Sequence, residues 1–288
     1  MQDWINTIIQ GVMTGGLYAM FAIGLALIFG VMKLVNIAHG DLIVLAAYVA
    51  LVVTQSLGLN PLLSLVLVVP IMALIGYLLQ RGIFNRTLGG DLMPPLLVSF
   101  GLSVILQNGL LQIFSADNKR LQAGAIEVAS LRLSDAINIG LLPLIQLVLA
   151  VLVIAGLQHL LYRTSIGRSF RAVSDDLRTA QLMGLNNKHV FGLAMALSLA
   201  IVALAGVLIA IRANFDPSTG PTRLIFGFEA VIIGGLSSFW GTLAGGIILG
   251  VVQAVAASFD PGLQTIAGHL AFLAVLAIRP AGLFGRTA

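Results

Sequence analysis

Apolar residues run through this chain in long blocks, with short polar punctuation between them. A helix needs roughly 20 mainly apolar residues to cross a bilayer. Blocks of that order stand near 5–31, 37–57, 62–80, 93–115, 139–161, 188–212, 224–238, 240–259 and 262–279. The 224–238 block is short for a spanning helix and holds Gly227, Glu229, Gly234 and Gly235. It predicts a broken or re-entrant helix, which is tolerated only where protein or a water-filled cavity surrounds it. The pattern therefore predicts an all-α polytopic membrane protein, a bundle of about eight or nine transmembrane segments including broken or re-entrant helices. Residues 1–288 read as a single transmembrane domain. Residues 116–138 alternate polar and apolar positions and predict a short extracytoplasmic hairpin.

Composition strengthens this reading. The chain is 59% hydrophobic and 9% charged, whereas soluble domains carry about 25% charged residues. The mean hydropathy is +1.05. A net charge of +4 and a pI near 9.9 would fit a nucleic-acid binder, but the basic residues sit in loops between apolar blocks, as in membrane proteins. There is no cysteine, hence no disulfide framework and no thiolate metal site. No Lys or Arg precedes Lys33, so the first block reads as a retained span and not as a cleaved signal. The 32 glycines suit close helix packing in lipid.

Charge also orients the chain. Arg163, Arg168, Arg171, Arg178 and Lys188 make 162–188 the densest basic loop, which places it in the cytoplasm. Lys33, Arg81, Arg86, Arg279 and Arg286 then fall inside as well. The N-terminus and 116–138 fall outside. This arrangement puts ten Lys and Arg inside and five outside, provided that 224–238 carries the chain across.

Within the cytoplasmic loop, SDDLRTAQLMGLN (174–186) predicts one short capped helix. Ser174 is a suitable N-cap, Asp175 and Asp176 suit the first turn, and Gly184 suits the end. Leu177, Ala180 and Gly184 are spaced to share a face. At about 1.5 Å per residue this helix is too short to span and is suited to docking a partner, or simply to closing a loop.

The Ala180-x-x-x-Gly184 spacing resembles the coupling loop of ABC importer permeases, with Arg178 where that pattern has its acid. NIAHGD (36–41), GGLSSFWGTLAGGIILGVVQ (234–253) and RPAGLFG (279–285) resemble the permeases of high-affinity branched-chain amino acid importers, of the LivH type. The resemblance runs in order along almost the whole chain. It implies a second permease subunit, two ATP-binding subunits that carry Mg-ATP, and an extracytoplasmic solute-binding protein in a bacterial inner membrane. It implies no cofactor in this chain and no nucleic acid. It makes 162–188 a coupling loop, with Ser174, Asp175, Asp176, Leu177, Arg178, Ala180 and Gly184 as ATPase-coupling residues. Many members of that family have Lys where Glu229 stands, and several have Glu where Gln253 stands.

The chain has no G-x-x-x-x-G-K-[ST] motif and no catalytic signature, so it is not expected to hydrolyse nucleotide. His39, His159, His189 and His269 lack metal-ligand spacing. Candidates for lining a pathway are Asn36, His39, Glu229 and Gln253. Glu229 is the acid placed well inside a span, where ionisable groups are costly. It reads equally as a pathway group or as half of a structural pair, with Arg223 as partner. Asn36 reads as an N-cap and Lys33 as a headgroup anchor. Asp41 suits the first turn of the next helix. His269 reads as a hydrogen-bonded packing residue. Trp4 and Trp240 read as interfacial. The competing reading is a stand-alone ion-coupled transporter or channel for a small polar solute, which predicts several carboxylates near the midplane.

Overall fold

A computed structural model of the chain describes residues 2–87, 93–134, 137–236 and 238–285. Arg286, assigned to the inside above, and Ser237 lie outside the described residues. The elements are α1 (Gln2–Met32), α2 (His39–Leu57), α3 (Pro61–Gly82), α4 (Met93–Phe114), α5 (Ala125–Val128), β1 (Ser130–Ser134), β2 (Ile137–Gly140), α6 (Leu141–Arg163), α7 (Ser165–Asp175), α8 (Leu177–Leu182), α9 (Asn187–Arg212), α10 (Gly220–Gly234), α11 (Phe239–Phe259) and α12 (Leu263–Ile278). Among the described residues seven helices are long and apolar enough to cross a membrane: α1, α2, α3, α4, α6, α9 and α11. Helix α12 is apolar but has 16 residues, and α10 has 15. The chain is an all-α polytopic membrane protein.

Several boundaries differ from the sequence reading. Helix α10 begins at Gly220, four residues before the apolar block, because Gly220 and Pro221 start a helix without adding hydrophobicity. The hairpin falls at 130–140, with Leu131 opposite Ile139. The residues before it form a loop and the single turn of α5.

The chain divides into two compact units. The first comprises Met1–Ala26, Gln122–Ile154 and Ile225–Ala288. Its seam joins α1 to α11 through two pairs of glycines spaced by four. A Cβ on Gly15 would lie 2.4 Å from Ile247 Cα, and one on Gly250 would lie 2.3 Å from Gly11 O. Backbones this close are possible only with small residues on both helices. The C-terminal turn closes on the end of α10, with Leu283 N–H donating to Ile233 O and Phe284 N–H to Gly234 O.

The second unit comprises Leu27–Leu121 and Ala155–Leu224. Its centre is α9, along which α3 and α2 lie. Gly76 of α3 abuts Met195 O, and Gly206 of α9 abuts Ile43 O of α2. Helix α3 starts at Asn60, whose side chain accepts from Leu62 N–H, with Pro61 next. This is the favoured chemistry for a helix start. Tyr48 stacks on Phe114 and meets Phe215 edge-on.

Candidate functional site

The polar residues of the second unit gather where α1 ends and α2 begins. Lys33 takes a left-handed conformation (φ 52°), and residues 33–36 have no regular structure. Asn36 is not the helix N-cap. That position belongs to Ala38, which has no capping side chain, and Asn36 Oδ1 instead accepts from Ala38 N–H at 3.1 Å. An asparagine two residues upstream closes a local turn in the same way that a cap closes a helix. His39 opens α2 and is fully buried.

Asp41 carries more than its sequence position indicates. It is 1% exposed. Ser103 Oγ donates to Oδ2 at 2.5 Å, and Gln107 Nε2 donates to Oδ1 at 3.0 Å. Ser99 Oγ accepts from Ile37 N–H at 3.1 Å. Ser99, Ser103 and Gln107 therefore form one stripe on α4, at i, i+4 and i+8, that receives the whole 37–41 segment. The first residue of α10 completes the enclosure. A Cβ on Gly220 would lie 2.1 Å from Asp41 Oδ1, and one on Gly40 would lie 2.0 Å from Gly220 O. The carboxylate thus lies in the first turn of α2 and against the start of α10, two positions where partial positive charge favours an anion. This assembly was missed in the sequence. The signal that could have found it is the polar stripe at spacing four within an apolar span.

The first unit holds a second buried polar group. Tyr18 OH donates to Gln253 Oε1 at 2.5 Å, and the Tyr18 ring lies 5.0 Å from that of Phe226. His269 Nδ1 contacts Glu229 Oε1. The partner of Glu229 is therefore His269, nearly two turns into α12, and not Arg223. Gly268, the neighbour of His269, sits under Gln253, and a Cβ there would lie 2.6 Å from Gln253 Nε2. Glu229 Oε2 and Gln253 Nε2 are buried with no hydrogen-bond partner among the described residues. Buried polar atoms without partners are rare, and each calls for a reason such as a ligand or water. Of the four pathway candidates, Asn36 and His39 thus share one environment, and Glu229 and Gln253 share another.

The 162–188 loop is two helices and not one. Helix α7 is capped by Thr164, whose Oγ1 accepts from Gly167 N–H at 3.2 Å. It ends at Asp175. Asp176 then caps α8: Oδ1 accepts from Arg178 N–H at 2.8 Å and Thr179 N–H at 3.1 Å, and Oδ2 accepts from Thr179 Oγ1 at 2.6 Å. These bonds, the Thr179 hydroxyl first, hold the Asp176 carboxyl below its ordinary range. An aspartate with its carboxylate free to fold over the next turn out-competes helix continuation, which is why the chain breaks there. Ser174 is not a cap; its Oγ donates to Gly30 O at 2.6 Å and so ties α7 to the end of α1. Ala180 is buried, whereas Leu177 is half exposed and Gly184 lies beyond α8 with φ +85°. The three do not share a face. Leu182 and Met183 project at 83% and 80% exposure.

Residues 7–277 match the profile of a family described as the permease component of branched-chain amino acid transport systems. The chain belongs to this family. It is 27% identical to BraD, a high-affinity branched-chain amino acid transport system permease protein of Pseudomonas aeruginosa, over 98% of this chain and 96% of that protein. It is 26% identical to LivH of Salmonella typhimurium, a permease protein of the same description, with the same coverage. It is 27% identical to a probable branched-chain amino acid transport permease protein LivH of Methanocaldococcus jannaschii, over 96% of this chain and 92% of that one. No solved structure matches. The permease is accordingly a multi-pass protein of the cytoplasmic membrane and a subunit of an ABC importer. Its family is one of transport components, not of enzymes.

Proposed function

We propose that the permease forms part of the translocation pathway for a branched-chain amino acid. An extracytoplasmic binding protein delivers the solute, and a second permease subunit forms the rest of the pathway. Two ATP-binding subunits hold Mg-ATP and drive the cycle. The observation that carries this reading is the match over residues 7–277 to a family described by that transport system.

The geometry supports a division of labour. The α7–α8 pair offers Leu182 and Met183 to an ATPase, and Ser174 ties the pair to the end of α1 at Gly30. Displacement of the loop would thereby reach the α1–α2 break, next to Asn36, His39 and Asp41. The change of access is then a population shift driven by nucleotide. Asn36, His39, Glu229 and Gln253 are proposed to face the path in one of its states.

The test is uptake into vesicles that contain the permease with its candidate partners. Uptake of leucine, isoleucine or valine that requires internal ATP and survives an ionophore is the expected result. Uptake by the permease alone, abolished by the ionophore, would overturn the reading.

A further inference from the structure

At one end of the second unit lies a cavity of about 310 Å³, lined by Gln107, Asn108, Leu111, Asn118, Asp216 and Pro217 among others. It is bounded by the C-terminal part of α4, the loop after it, and the loop between α9 and α10. These two loops are joined by the backbone pairing of Lys119 with Phe215. Both fall on the side opposite the basic 162–188 loop, since that loop precedes α9 and the cavity follows it. The volume is at the lower limit for small-molecule sites and suits a single amino acid.

The hydrogen-bond inventory of the lining decides what it would hold. Both hydrogens of Gln107 Nε2 are committed, one to Asp41 Oδ1 at 3.0 Å and one to Ser103 Oγ at 3.1 Å. Asn108 Nδ2 donates to Val104 O at 2.8 Å. Asp216 Oδ1 accepts from Ser218 N–H at 2.7 Å and from the Ser218 hydroxyl, which leaves Oδ2 without a donor among the described residues. Gln107 and Asn108 therefore have carbonyl oxygens left to offer, and Asp216 a carboxylate oxygen, beside the second N–H of Asn108 Nδ2. Three acceptors, one of them charged, match a primary ammonium group and disfavour an anion. Leu111 and Pro217 supply apolar surface for an aliphatic side chain.

We propose that this cavity is an extracytoplasmic entry subsite that holds the α-ammonium group of the solute between Asp216, Gln107 and Asn108. The inference rests on the amino acid transport reading above. It also explains why Gln107 is shared: the residue that meets the ammonium group holds Asp41 at the start of α2, so occupancy is felt at the α1–α2 break.

The chain has no native cysteine, so one introduced thiol reports on the site. Ala116→Cys, at the cavity wall, would be labelled from outside by a membrane-impermeant thiol reagent in the assembled transporter. Leucine and isoamylamine, which keep the ammonium group, are expected to slow the labelling. Isocaproate, which lacks it, is expected not to. Asp216→Asn on the same background keeps the Oδ1 acceptor for Ser218 and replaces the charged Oδ2 acceptor with an NH2 donor. It is expected to weaken protection by leucine roughly ten- to hundredfold, the worth of a charge-assisted bond. Asp216→Glu is expected to restore part of it. A thiol that is not labelled from outside, protection by isocaproate equal to that by leucine, or protection unchanged by Asp216→Asn would each overturn the proposal. Vesicle uptake separates the two readings. ATP-driven leucine uptake without ammonium-dependent protection sinks the subsite alone. Protection by isoamylamine without uptake of any amino acid sinks the transport reading and leaves the ammonium site standing.

Discussion

Gly40 provides the sharpest test of how the Asp41 environment is built. A Cβ at this position would lie 2.0 Å from Gly220 O and 2.8 Å from Gly220 C. Carbon–oxygen contacts settle at about 3.3 Å or more, so Gly40→Ala leaves the start of α2 and the start of α10 roughly 1.3 Å too close. Both obstacles are backbone atoms, which cannot rotate away as a side chain could. The two helix starts must separate, and Asp41 would lose its fit against Gly220. Overpacking of this kind costs about 1–3 kcal/mol, which is roughly a five- to 150-fold fall in the ratio of folded to unfolded protein. Gly30→Ala is the matched control, because a Cβ there meets nothing within 4 Å. Alanine there removes the helix penalty of glycine and is worth about 0.5–1 kcal/mol in the opposite direction. The assay is the midpoint of thermal unfolding of the purified permease in one detergent, followed by size-exclusion recovery. Gly40→Ala should fall well below wild type, and Gly30→Ala should match or exceed it. Equal midpoints for Gly40→Ala and wild type would refute the close approach of the two helix starts.

Three other outcomes follow from the same geometry. Single and double alanine replacements at Glu229 and His269 should show a coupling of about 0.5–1.5 kcal/mol in unfolding stability, since loss of His269 leaves the buried Glu229 carboxyl without its partner while His269 itself is partly exposed; additive effects would dissolve the pair. Ser174→Ala removes the hydrogen bond to Gly30 O, worth about 0.5–1.5 kcal/mol; it should lower solute-stimulated ATPase activity while leaving co-purification with the ATPases intact, and unchanged stimulation would count against a mechanical link. The Asp176 carboxyl titrates below its ordinary 3.8 because the folded loop donates to its charged form. Its contribution to α8 should thus be complete above pH 3.8 and lost as pH falls through the lower folded value. Amide exchange across 177–182, corrected for intrinsic rates, should therefore keep constant protection from neutral pH down to that range; a loss near pH 6 would assign the stability of α8 to another group.

The long helices were legible because a bilayer imposes one rule on every span: the backbone must satisfy itself over a length fixed by the hydrocarbon. Boundaries of α3, α4 and α9 accordingly fall within a residue or two of the apolar blocks. Local chemistry was less legible where two local solutions competed. Ser174 and Asp176 both have the side chain of a helix cap, and only packing decided between them. Ser174 falls within the last turn of α7, its Oγ donating to Gly30 O across 144 positions of sequence, and Asp176, just past the end of that helix, takes the cap role two residues later.

The sequence by itself determined that this chain is a polytopic membrane protein, the approximate extent of its spans, its densest basic loop and its family. Each of these follows from a local or summed property: hydropathy over one helix length, charge in a loop, or motifs in order. Only the tertiary structure decided which polar groups meet. It matched Asp41 with Ser103 and Gln107, Glu229 with His269, and Tyr18 with Gln253. It also decided which glycines are indispensable: Gly11, Gly15, Gly246 and Gly250 sit at a helix seam, while Gly30, Gly101 and Gly156 face open space. The reason is physical. In lipid an apolar helix gains little from choosing one neighbour over another, so partners are selected by close backbone approach and by the cost of an unpaired polar atom. Both are properties of pairs of residues far apart in the chain, and they come into being only when the helices pack.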